Sequence, residues 1–533
     1  MKAEDDLGRG LKSVEIFGTI LGSMTGLGER PGLVEIAAAS GLQPAQLRPY
    51  LTSLQRLGLL ELDADAKGHA IGPLAARLGQ CRLEMIGQSY GVLPLAQRIA
   101  AERDLLVALV FWAGQMPTVA KVIPSRSSLN LNLRPGTVYN VTGTATGRVF
   151  LALSDDPRVA DRAEDEFEAR TDVPGIGDVP ERATLEAMIS EIHETGYSFV
   201  QDAYFPGING LAVPVFDEGE RLLCVMTIVG STSGLPRRSA VDLAEEISRD
   251  LRAARDEPAV FAELPAGIME PAEEAASVPE DRRGVGSAEI AGRLLSAMAL
   301  SPEPRKLKDV CSDAALVPAK AHGYLVSLRR TGLVEKVPGS PRYRLGPVAA
   351  ELLLVRLHSY DAFESARKLI GELSGETGMM CFLSVWGTYG PVVVDIVRGR
   401  EARHTDIHIG RSMPLARSAT GLLFRAHISA ELRGPAVLAE RAAFPRLHDA
   451  NPEDDLLDAQ AREIRAAGCA TWEQRGPIRL HSLAAPIFDH NGEIWFAVTM
   501  TGELERVLAD ETHLRQQLLA AVARISADLG HAP

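Results

Sequence analysis

The side chains that most often perform catalysis or bind metals are scattered along this 533-residue chain without the spacing that such chemistry needs. His404 and His408 lie four residues apart, but Thr405-Asp406-Ile407 between them predict a strand or loop, where helical ligand spacing does not apply. The sequence contains no Gly-rich phosphate loop, no His-Glu-x-x-His, no paired Cys or His spacing and no Gly-x-Ser-x-Gly elbow. We therefore predict no catalytic residues, no metal site and no cofactor.

The five cysteines, Cys81, Cys224, Cys311, Cys381 and Cys469, include no Cys-x-x-Cys pair. We interpret them as reduced, mostly buried thiols, which is their usual state in a cytoplasmic protein. The acidic start of the chain has no apolar segment behind it, and no uninterrupted apolar stretch reaches the length of a membrane span. We therefore expect a cytoplasmic protein without a membrane partner.

Charge is distributed unevenly along the chain, whose formal net charge is −14. Residues 1–80 carry 8 Lys and Arg against 9 Asp and Glu, whereas residues 284–357 carry 11 against 6, a net charge of +5. The overall negative charge argues against a protein that coats nucleic acid along its whole surface. The positive segment has the local charge that binding to phosphates requires.

The chain contains a long internal repeat. Residues 56–61 (RLGLLE) recur as residues 330–335 (RTGLVE) at an offset of 274, and residues 211–217 (LAVPVFD) recur as residues 483–489 (LAAPIFD) at an offset of 272. A repeat of this length indicates a duplicated multi-domain unit rather than a solenoid, whose repeats are about 20–50 residues long.

Each copy opens with short helices followed by a hairpin. A helix, a short turn with Gly at Ser40-Gly41-Leu42, and a second helix predict a helix-turn-helix, and the hairpin predicts its wing. The predicted helices lie near residues 11–21 and 44–57 in the first copy, and near 287–300, 306–312 and 318–330 in the second. The predicted wing strands lie near 59–62 and 69–71, and on both sides of 338–341. Long helices are predicted after the wings, near 73–103 and 347–373.

The rest of each copy alternates strands with helices, which predicts an α+β domain. The predicted strands are 105–112, 116–123, 210–216 and 222–229 in the first copy, and 379–386, 392–397, 482–488 and 494–501 in the second. Helices are predicted near 144–153, 182–194 and 237–254, with counterparts in the second copy. Between the copies, a segment rich in Pro, Ala and Glu predicts a solvated linker.

The order of these motifs resembles the IclR (isocitrate lyase regulator) family of bacterial transcription factors over essentially all of both copies. The matching motifs are Gly-Leu after the recognition helix, Gly-Pro after the wing, residues 413–421 (MPLARSATG), and Ala-x-Pro-(Val or Ile)-Phe-Asp near the end of each copy. The resemblance implies two tandem copies of a winged helix-turn-helix followed by a GAF-like effector-binding domain. The implied domains are residues 1–80, 81–255, the linker 256–284, 285–352 and 353–533.

The recognition helices depart from the family pattern, in which a basic residue lies inside the helix. Pro49 takes that position in the first copy and Gly323 takes it in the second. Pro49 cannot donate a hydrogen bond to Ala45, which costs about 3 kcal/mol unless the helix bends, and Gly323 costs about 1 kcal/mol. Both copies therefore lack a usual DNA-contacting side chain.

The resemblance nevertheless places other polar residues on the predicted DNA side of the winged helices. Base edges, phosphates or the minor groove would be contacted in the second copy by Lys320, His322, Arg329, Arg330, Lys336, Arg342 and Arg344. The first-copy counterparts are Gln46, Arg48 and Arg56, with Lys67 and His69 on the wing.

In this family the helix of the conserved motif and the last two strands of the sheet line the small-molecule pocket. The matching positions are Ala145, Ile208, Gly210, Thr227 and Val229 in the first copy, and Ala419, Leu480, Ser482, Thr499 and Thr501 in the second. A cysteine common at the third position is Gly210 or Ser482 here. His481, Arg417 and Arg479 are further candidates for binding a carboxylate.

The sequence favours a ligand-responsive transcriptional regulator that binds a double-stranded DNA operator and senses a small organic or aromatic acid. One chain would carry both halves of a dimer, and the unequal halves predict an imperfect palindrome as the operator. An enzyme or ligand-binding protein that has lost DNA recognition is the alternative that Pro49 and Gly323 support. A scaffold that mainly mediates oligomerisation is a third hypothesis, and further homo-oligomerisation remains open.

Overall fold

The structure is a computed structural model that describes residues 10–28, 30–62, 68–125, 133–169, 179–201, 207–256, 284–359, 362–387, 390–399, 407–443, 454–474 and 479–531. Almost all of the predicted linker, together with Lys67 and His404, lies outside these residues. The chain forms two compact units, Met1–Ser359 and Tyr360–Pro533. The second winged helix therefore belongs to the same unit as the first copy, whereas the finer division into five domains stays a prediction.

The first winged helix has the predicted order of elements. Its helices are α1 (Lys12–Met24), α2 (Leu33–Ser40) and α3 (Pro44–Arg56), and its wing strands are β1 (Leu60–Leu62) and β2 (His69–Ile71). Helix α3 continues through Pro49, which lacks the N–H that would reach Ala45. Burial of Leu47, Leu51 and Leu54 against the core stabilises the helix on both sides of the proline.

The helical segment after the first wing is broken. Helix α4 (Pro73–Ser89) ends before Gly91, whose φ is 63°, and α5 (Val92–Arg103) follows. A single helix over residues 73–103 is therefore the wrong prediction, because the left-handed conformation at Gly91 cannot continue an α-helix.

The α+β domain of the first copy, called the first sensor domain below, is built on a five-stranded antiparallel sheet in the order β4-β3-β7-β6-β5. Its strands are β3 (Leu106–Ala113), β4 (Met116–Ile123), β5 (Ser198–Gln201), β6 (Ile208–Phe216) and β7 (Leu222–Ser231). Its helices are α6 (Ala145–Leu153), α7 (Pro157–Ala169), α8 (Arg182–Thr195) and α9 (Arg237–Asp256). Strand β5 and helix α7 were not among the predicted elements.

The second winged helix repeats the first and adds a strand. Its elements are α10 (Gly286–Met298), β8 (Arg305–Lys306), α11 (Leu307–Asp313), α12 (Pro318–Arg330), β9 (Val334–Lys336), β10 (Arg342–Leu345) and α13 (Pro347–Ser359). In the first copy Pro31 takes the place of Arg305. Pro31 has no N–H, and only its carbonyl is used in the wing, accepting from His69 N at 3.0 Å.

The second unit contains the second sensor sheet, in the equivalent order β12-β11-β15-β14-β13. Its strands are β11 (Met380–Gly387), β12 (Gly390–Val397), β13 (Ala470–Gln474), β14 (Leu480–Phe488) and β15 (Ile494–Glu503). Its helices are α14 (Ala362–Thr377), α15 (Ala419–His427), α16 (Ala430–Ala443), α17 (Asp454–Ala467), α18 (Leu504–Ala509) and α19 (Glu511–Asp528). Helices α13 and α14 cover the span of the long helix predicted over residues 347–373, apart from residues 360 and 361, which lie outside the described residues.

The two winged helices share one hydrophobic core. Phe17 and Leu21 of α1 are fully buried in the same cluster as Leu294 and Leu328 of the second copy. Gly18 faces the Thr331 side chain, where an added Cβ would lie 2.3 Å from Thr331 Oγ1, and Gly292 faces Leu57 in the equivalent way. Because each contact occurs twice with the copies exchanged, the pairing has approximate two-fold symmetry.

Candidate nucleic-acid interface and ligand pockets

Basic side chains lie on several elements of the second winged helix, and together we call them its basic surface. Lys320 and His322 are exposed in the first turns of α12, Arg329 is half-buried in its last turn, and Lys336 and Arg342 are exposed on the wing. Lys306 on β8 and Lys308 on α11 are also exposed. The sequence-based set omitted these two lysines. The local charge count was the signal that would have included them.

Lys306 and Arg342 lie directly opposite each other in the ladder between β8 and β10. Like charges at opposed positions of a sheet destabilise it unless an anion lies between or above them. Arg342 Nη1 donates a hydrogen bond to the Pro304 carbonyl at 2.8 Å, which fixes the side chain at this edge. The arrangement suits contact with a phosphate backbone.

Arg344 does not belong to this surface, so its predicted DNA contact is wrong. Its side chain is only 6% exposed, and its Nε donates to Glu335 Oε2 at 3.0 Å. Arg82 of α4 pairs with the same carboxylate at 3.1 Å, and Glu218 Oε1 lies 3.6 Å from Arg344 Nη1. Burial alone lowers the pKa of Arg344, but Tyr90, Glu335 and Glu218 together raise it, which keeps the guanidinium charged.

Arg56 and Arg330 also have another role. Arg56 Nη1 lies 3.4 Å from Glu289 Oε1, and Arg330 Nη1 lies 2.6 Å from Glu15 Oε1. These pairs are equivalent, and each joins one winged helix to the other. Both guanidinium groups thus take part in the pairing of the two copies, and their contact with DNA stays a prediction.

The first winged helix presents a different surface. Gln46 and Arg48 are exposed in α3, and Gln46 Oε1 accepts from Gln43 N at 3.3 Å as a helix cap. His69 is buried in the wing, and burial lowers its pKa. Its side chain is therefore not available for contact with DNA. The first copy has uncharged residues at five positions that are basic in the second copy. These residues are Gly32 for Lys306, Val34 for Lys308, Gln55 for Arg329, Leu62 for Lys336 and Gly68 for Arg342. Val34 and Leu62 are exposed apolar residues.

The predicted effector positions of the first copy share one face of its sheet, below α6. Val229 lies opposite Gly210 in the register, Thr227 lies opposite Ala212, and Ala145, Ile208 and Val229 belong to the core cluster on this face. Thr227 Oγ1 lies 2.7 Å from Thr146 Oγ1, so its hydroxyl attaches the start of α6 to the sheet. The face is mainly apolar.

The second copy has a more polar face at the same positions. Thr501 lies opposite Ser482, and their hydroxyl oxygens are 2.8 Å apart. Thr499 Oγ1 lies 2.8 Å from Thr420 Oγ1, repeating the attachment of the helix, and Ala419 is buried at the start of α15. Leu480 is half-buried at the end of β14. Trp472 of β13 is paired with Ser482 and adds an aromatic wall.

Two further carboxylate-binding candidates point elsewhere. His481 alternates with Ser482 along β14, and its Nε2 lies 3.4 Å from Glu511 Oε2 of α19. Arg479 pairs with Glu505 at 2.6 Å on the surface. Successive strand residues face opposite sides of a sheet, so His481 cannot share a pocket with Ser482.

All five cysteines are buried, and burial raises the pKa of the Cys81 thiol to about 12. Within the described ranges, no cluster of three or more His, Cys, Asp or Glu residues could hold a metal ion. None of the helices in the described part of the chain is both long enough and apolar enough to span a membrane.

A sequence model described as "Bacterial transcriptional regulator IclR C-terminal" matches residues 91–256 and 355–527, which together exceed half of the chain. The chain belongs to the IclR family. A second model, "IclR helix-turn-helix domain", matches residues 13–64. The double match agrees with the two sensor sheets, and the equivalent helix-turn-helix at residues 286–345 is visible in the structure.

Curated members of the IclR family align with about half of the chain. The "Glycerol operon regulatory protein" of Streptomyces coelicolor is 33% identical over 258 residues, covering 46% of this chain and 98% of that protein. The "HTH-type transcriptional regulator XynR" of Escherichia coli is 26% identical, covering 42% and 90%. The crystal structure of Pseudomonas aeruginosa HmgR is 27% identical, covers 46% and 99%, and has a TM-score of 0.41. This IclR-family chain thus has a DNA-binding helix-turn-helix and the family's role in transcription regulation.

Proposed function

We propose that this IclR-family chain is a ligand-responsive transcriptional regulator that carries both halves of a DNA-binding dimer in one polypeptide. The pairing of the two winged helices is the observation that supports this most directly. Ser53 Oγ accepts from Val285 N at 2.8 Å, and Ser327 Oγ accepts from Leu11 N at 2.7 Å. These contacts and the two Arg–Glu pairs are equivalent under exchange of the copies, as in an isologous dimer.

The two halves would contribute unequally to DNA binding. The second winged helix supplies Lys320, His322, Arg329, Lys336 and Arg342, to which we add Lys306 and Lys308. The first supplies Gln46 and Arg48. Phosphate contacts dominate affinity, so the operator would be an imperfect palindrome bound mainly through the half-site of the second copy.

The effector would be a small organic or aromatic acid bound below α15 in the second sensor domain. The Ser482 and Thr501 hydroxyls offer donors beside Trp472, whereas the first copy has Gly210 and Val229 at those places. Replacing Ser482 with Gly, the residue of the first copy, is expected to weaken effector binding about fivefold to tenfold, since one hydrogen bond is lost. Titration calorimetry with acids that raise the thermal midpoint of the intact chain measures this.

Recovery of bound DNA across a genome, followed by binding assays on the recovered sites, tests the DNA-binding proposal. The Lys320→Ala/His322→Ala variant is expected to lose the specific sites. The matched Gln46→Ala/Arg48→Ala variant of the first copy is expected to keep most of them. Equal losses, or loss only with the first-copy variant, would contradict the assignment of the main contact surface.

Salt dependence gives an independent measure. Affinity is expected to fall steeply with salt, and Lys306→Ala/Arg342→Ala is expected to reduce the slope of log K against log salt by about 2, one for each phosphate contact. An affinity that does not change with salt would favour the alternative, a ligand-binding protein or enzyme without DNA recognition.

A further inference from the structure

A cleft of about 550 Å³ lies in the first copy between α9, the end of α8 and the end of β6. Tyr197 and Phe216 contribute aromatic walls, Tyr90 lies at one side, and α9 contributes Arg249 and Arg252. The volume falls within the range of about 300–1,000 Å³ that small-molecule pockets occupy. None of the effector positions implied by the family resemblance lines this cleft, so it is a different place on the sensor domain.

The equivalent helix face of the second copy carries different side chains. The buried residues of α9 align with those of α19 at an offset of 274, so that Leu251 corresponds to Ile525. At this offset Glu245, Ser248, Arg249 and Arg252 correspond to Leu519, Val522, Ala523 and Ser526. Val522 is 3% exposed and Ser526 is 4% exposed.

Aromatic side chains pack beside this helix face in the second copy. Ser526 Oγ accepts from Phe488 N at 3.0 Å. The Phe488 ring packs against His427 and His531 with centroid distances of 5.1 and 4.8 Å. The second copy therefore buries Val522 and Ser526 at these positions, while the first copy has the half-buried Ser248 and the exposed Arg252 there.

We propose that the cleft of the first copy binds a small aromatic anion. Arg249 and Arg252 lie three residues apart on α9, which puts them on one helix face. Both are exposed, and the described residues supply neither with an ion-pair partner. A carboxylate can bind between two guanidinium groups, and a planar ring fits against Tyr197 and Phe216. Glu220 and Glu245 at the rim disfavour a ligand of high negative charge.

Tyr90 connects this cleft to the wing of the second copy. Its hydroxyl donates to Glu218 Oε2 at 2.8 Å and accepts from Arg344 Nη1, 3.3 Å away. Arg344 lies on β10, and the equivalent residue in the first wing is Ala70, which cannot form this contact. A ligand that contacts the Tyr90 ring would therefore change the hydrogen bond to Arg344 and, through it, the wing of the second copy, which carries the basic surface. This second step rests on the proposed function, whereas binding in the cleft does not.

Titration calorimetry of the full chain with 2-naphthoate tests the binding site. Binding is expected to weaken about tenfold or more in Arg249→Ala/Arg252→Ala and with the neutral 2-naphthamide, because charge-assisted hydrogen bonds are lost. Arg237→Ala/Arg238→Ala removes the same charge from α9 outside the cleft and is expected to bind normally. Absence of naphthoate binding would overturn the proposal. So would loss of binding in Ser482→Gly/Thr501→Val with unchanged binding in the Arg249/Arg252 variant.

DNA-binding assays with and without 2-naphthoate test the connection. Naphthoate is expected to change operator affinity at least threefold, within the range of about 1–3 kcal/mol usual for coupling between sites. Tyr90→Phe keeps the ring but removes the hydroxyl that joins Glu218 to Arg344, so saturating naphthoate is expected to have no effect on DNA binding in this variant. An undiminished effect in this variant would overturn the role of Tyr90. If the intact chain does not bind DNA, calorimetry still decides on the cleft, so the two failures can be distinguished.

Discussion

At the scale of single residues, the duplication acts as an internal control on backbone strain. Among the described residues, three that are not glycine have positive φ: Asp104 (55°), Glu220 (61°) and Ala315 (52°). The other copy has glycine at each equivalent position, namely Gly378, Gly492 and Gly41, with φ between 67° and 75°. The backbone therefore requires the left-handed conformation at all three places, and a side chain there is strained.

Replacing Glu220 or Ala315 with glycine is expected to stabilise the first unit. Glu220→Gly and Ala315→Gly should each raise its free energy of unfolding by about 1 kcal/mol, because glycine adopts positive φ without a steric penalty. Thermal unfolding of the intact chain measures the change. The reciprocal Gly492→Ala should lower the stability of the second unit by a similar amount. If all three variants unfolded at the temperature of the unmodified chain, the backbone at these positions would not be strained.

His427 gives the second unit a defined sensitivity to acid. Burial, followed by the charge of Arg465, lowers the pKa of His427 to about 4 from the ordinary value of 6.5. The unfolded chain therefore takes up this proton at higher pH than the folded chain does, so stability is lost as the pH falls from about 6.5 to about 4. The first copy has Leu153 at the position of His427. In His427→Leu, the thermal midpoint should therefore decrease less steeply over this pH range. An equally steep fall would exclude His427 as its source.

At the scale of elements, α4 and α13 decide how the two winged helices connect to the rest of the first unit. The helices pack closely where Gly79 meets the other copy: an added Cβ would lie 2.3 Å from Leu353 Cβ and 2.5 Å from the Ala349 carbonyl oxygen. Leu353 is the counterpart of Gly79 itself, so the crossing lies on the approximate two-fold axis. The φ of Gly79 is one that any residue can adopt. Glycine is therefore required here by the close approach of the two helices and not by the backbone conformation.

Gly79→Ala is expected to separate these helices and to destabilise the first unit by about 1–3 kcal/mol, the usual cost of overpacking. Gly22→Ala in α1 is the matched control, because an added Cβ meets nothing within 4 Å there. This control should leave stability unchanged or raise it by up to about 1 kcal/mol. Chemical denaturation followed by circular dichroism compares the two variants, and equal behaviour would contradict the tight crossing.

At the scale of the whole molecule, the covalent connection between the copies is separate from what holds the winged helices together. Their shared core joins α1 and α3 to α10 and α12, which lie at least 230 positions apart in the chain (286 − 56 = 230). A core of this kind stabilises the pairing through buried apolar surface and does not depend on a peptide bond. The predicted linker would mainly raise the effective concentration of one half for the other.

Cutting the chain between residues 256 and 284 is therefore expected to leave the halves associated. A protease site inserted in this segment, followed by size-exclusion chromatography of the cleaved protein at micromolar concentration, measures association. The two fragments should elute together. In the Gly18→Leu/Gly292→Leu variant, the new side chains occupy the space that Thr331 and Leu57 fill in the pairing. The cleaved fragments of this variant should therefore elute separately. Separation of the fragments without these substitutions would contradict a self-sufficient pairing.

The sequence by itself determined the duplication, the order of the helices and of the two hairpin strands in both winged helices, and four strands of each sensor sheet, because apolar periodicity and motif spacing are local properties. It did not predict the short edge strands β5 and β13, whose mixed polar and apolar residues carry little periodic signal. Only the tertiary structure decided which cations are available to a ligand. Arg344, Arg56 and Arg330 are paired with carboxylates from distant parts of the chain, and such pairing depends on distances that packing alone sets.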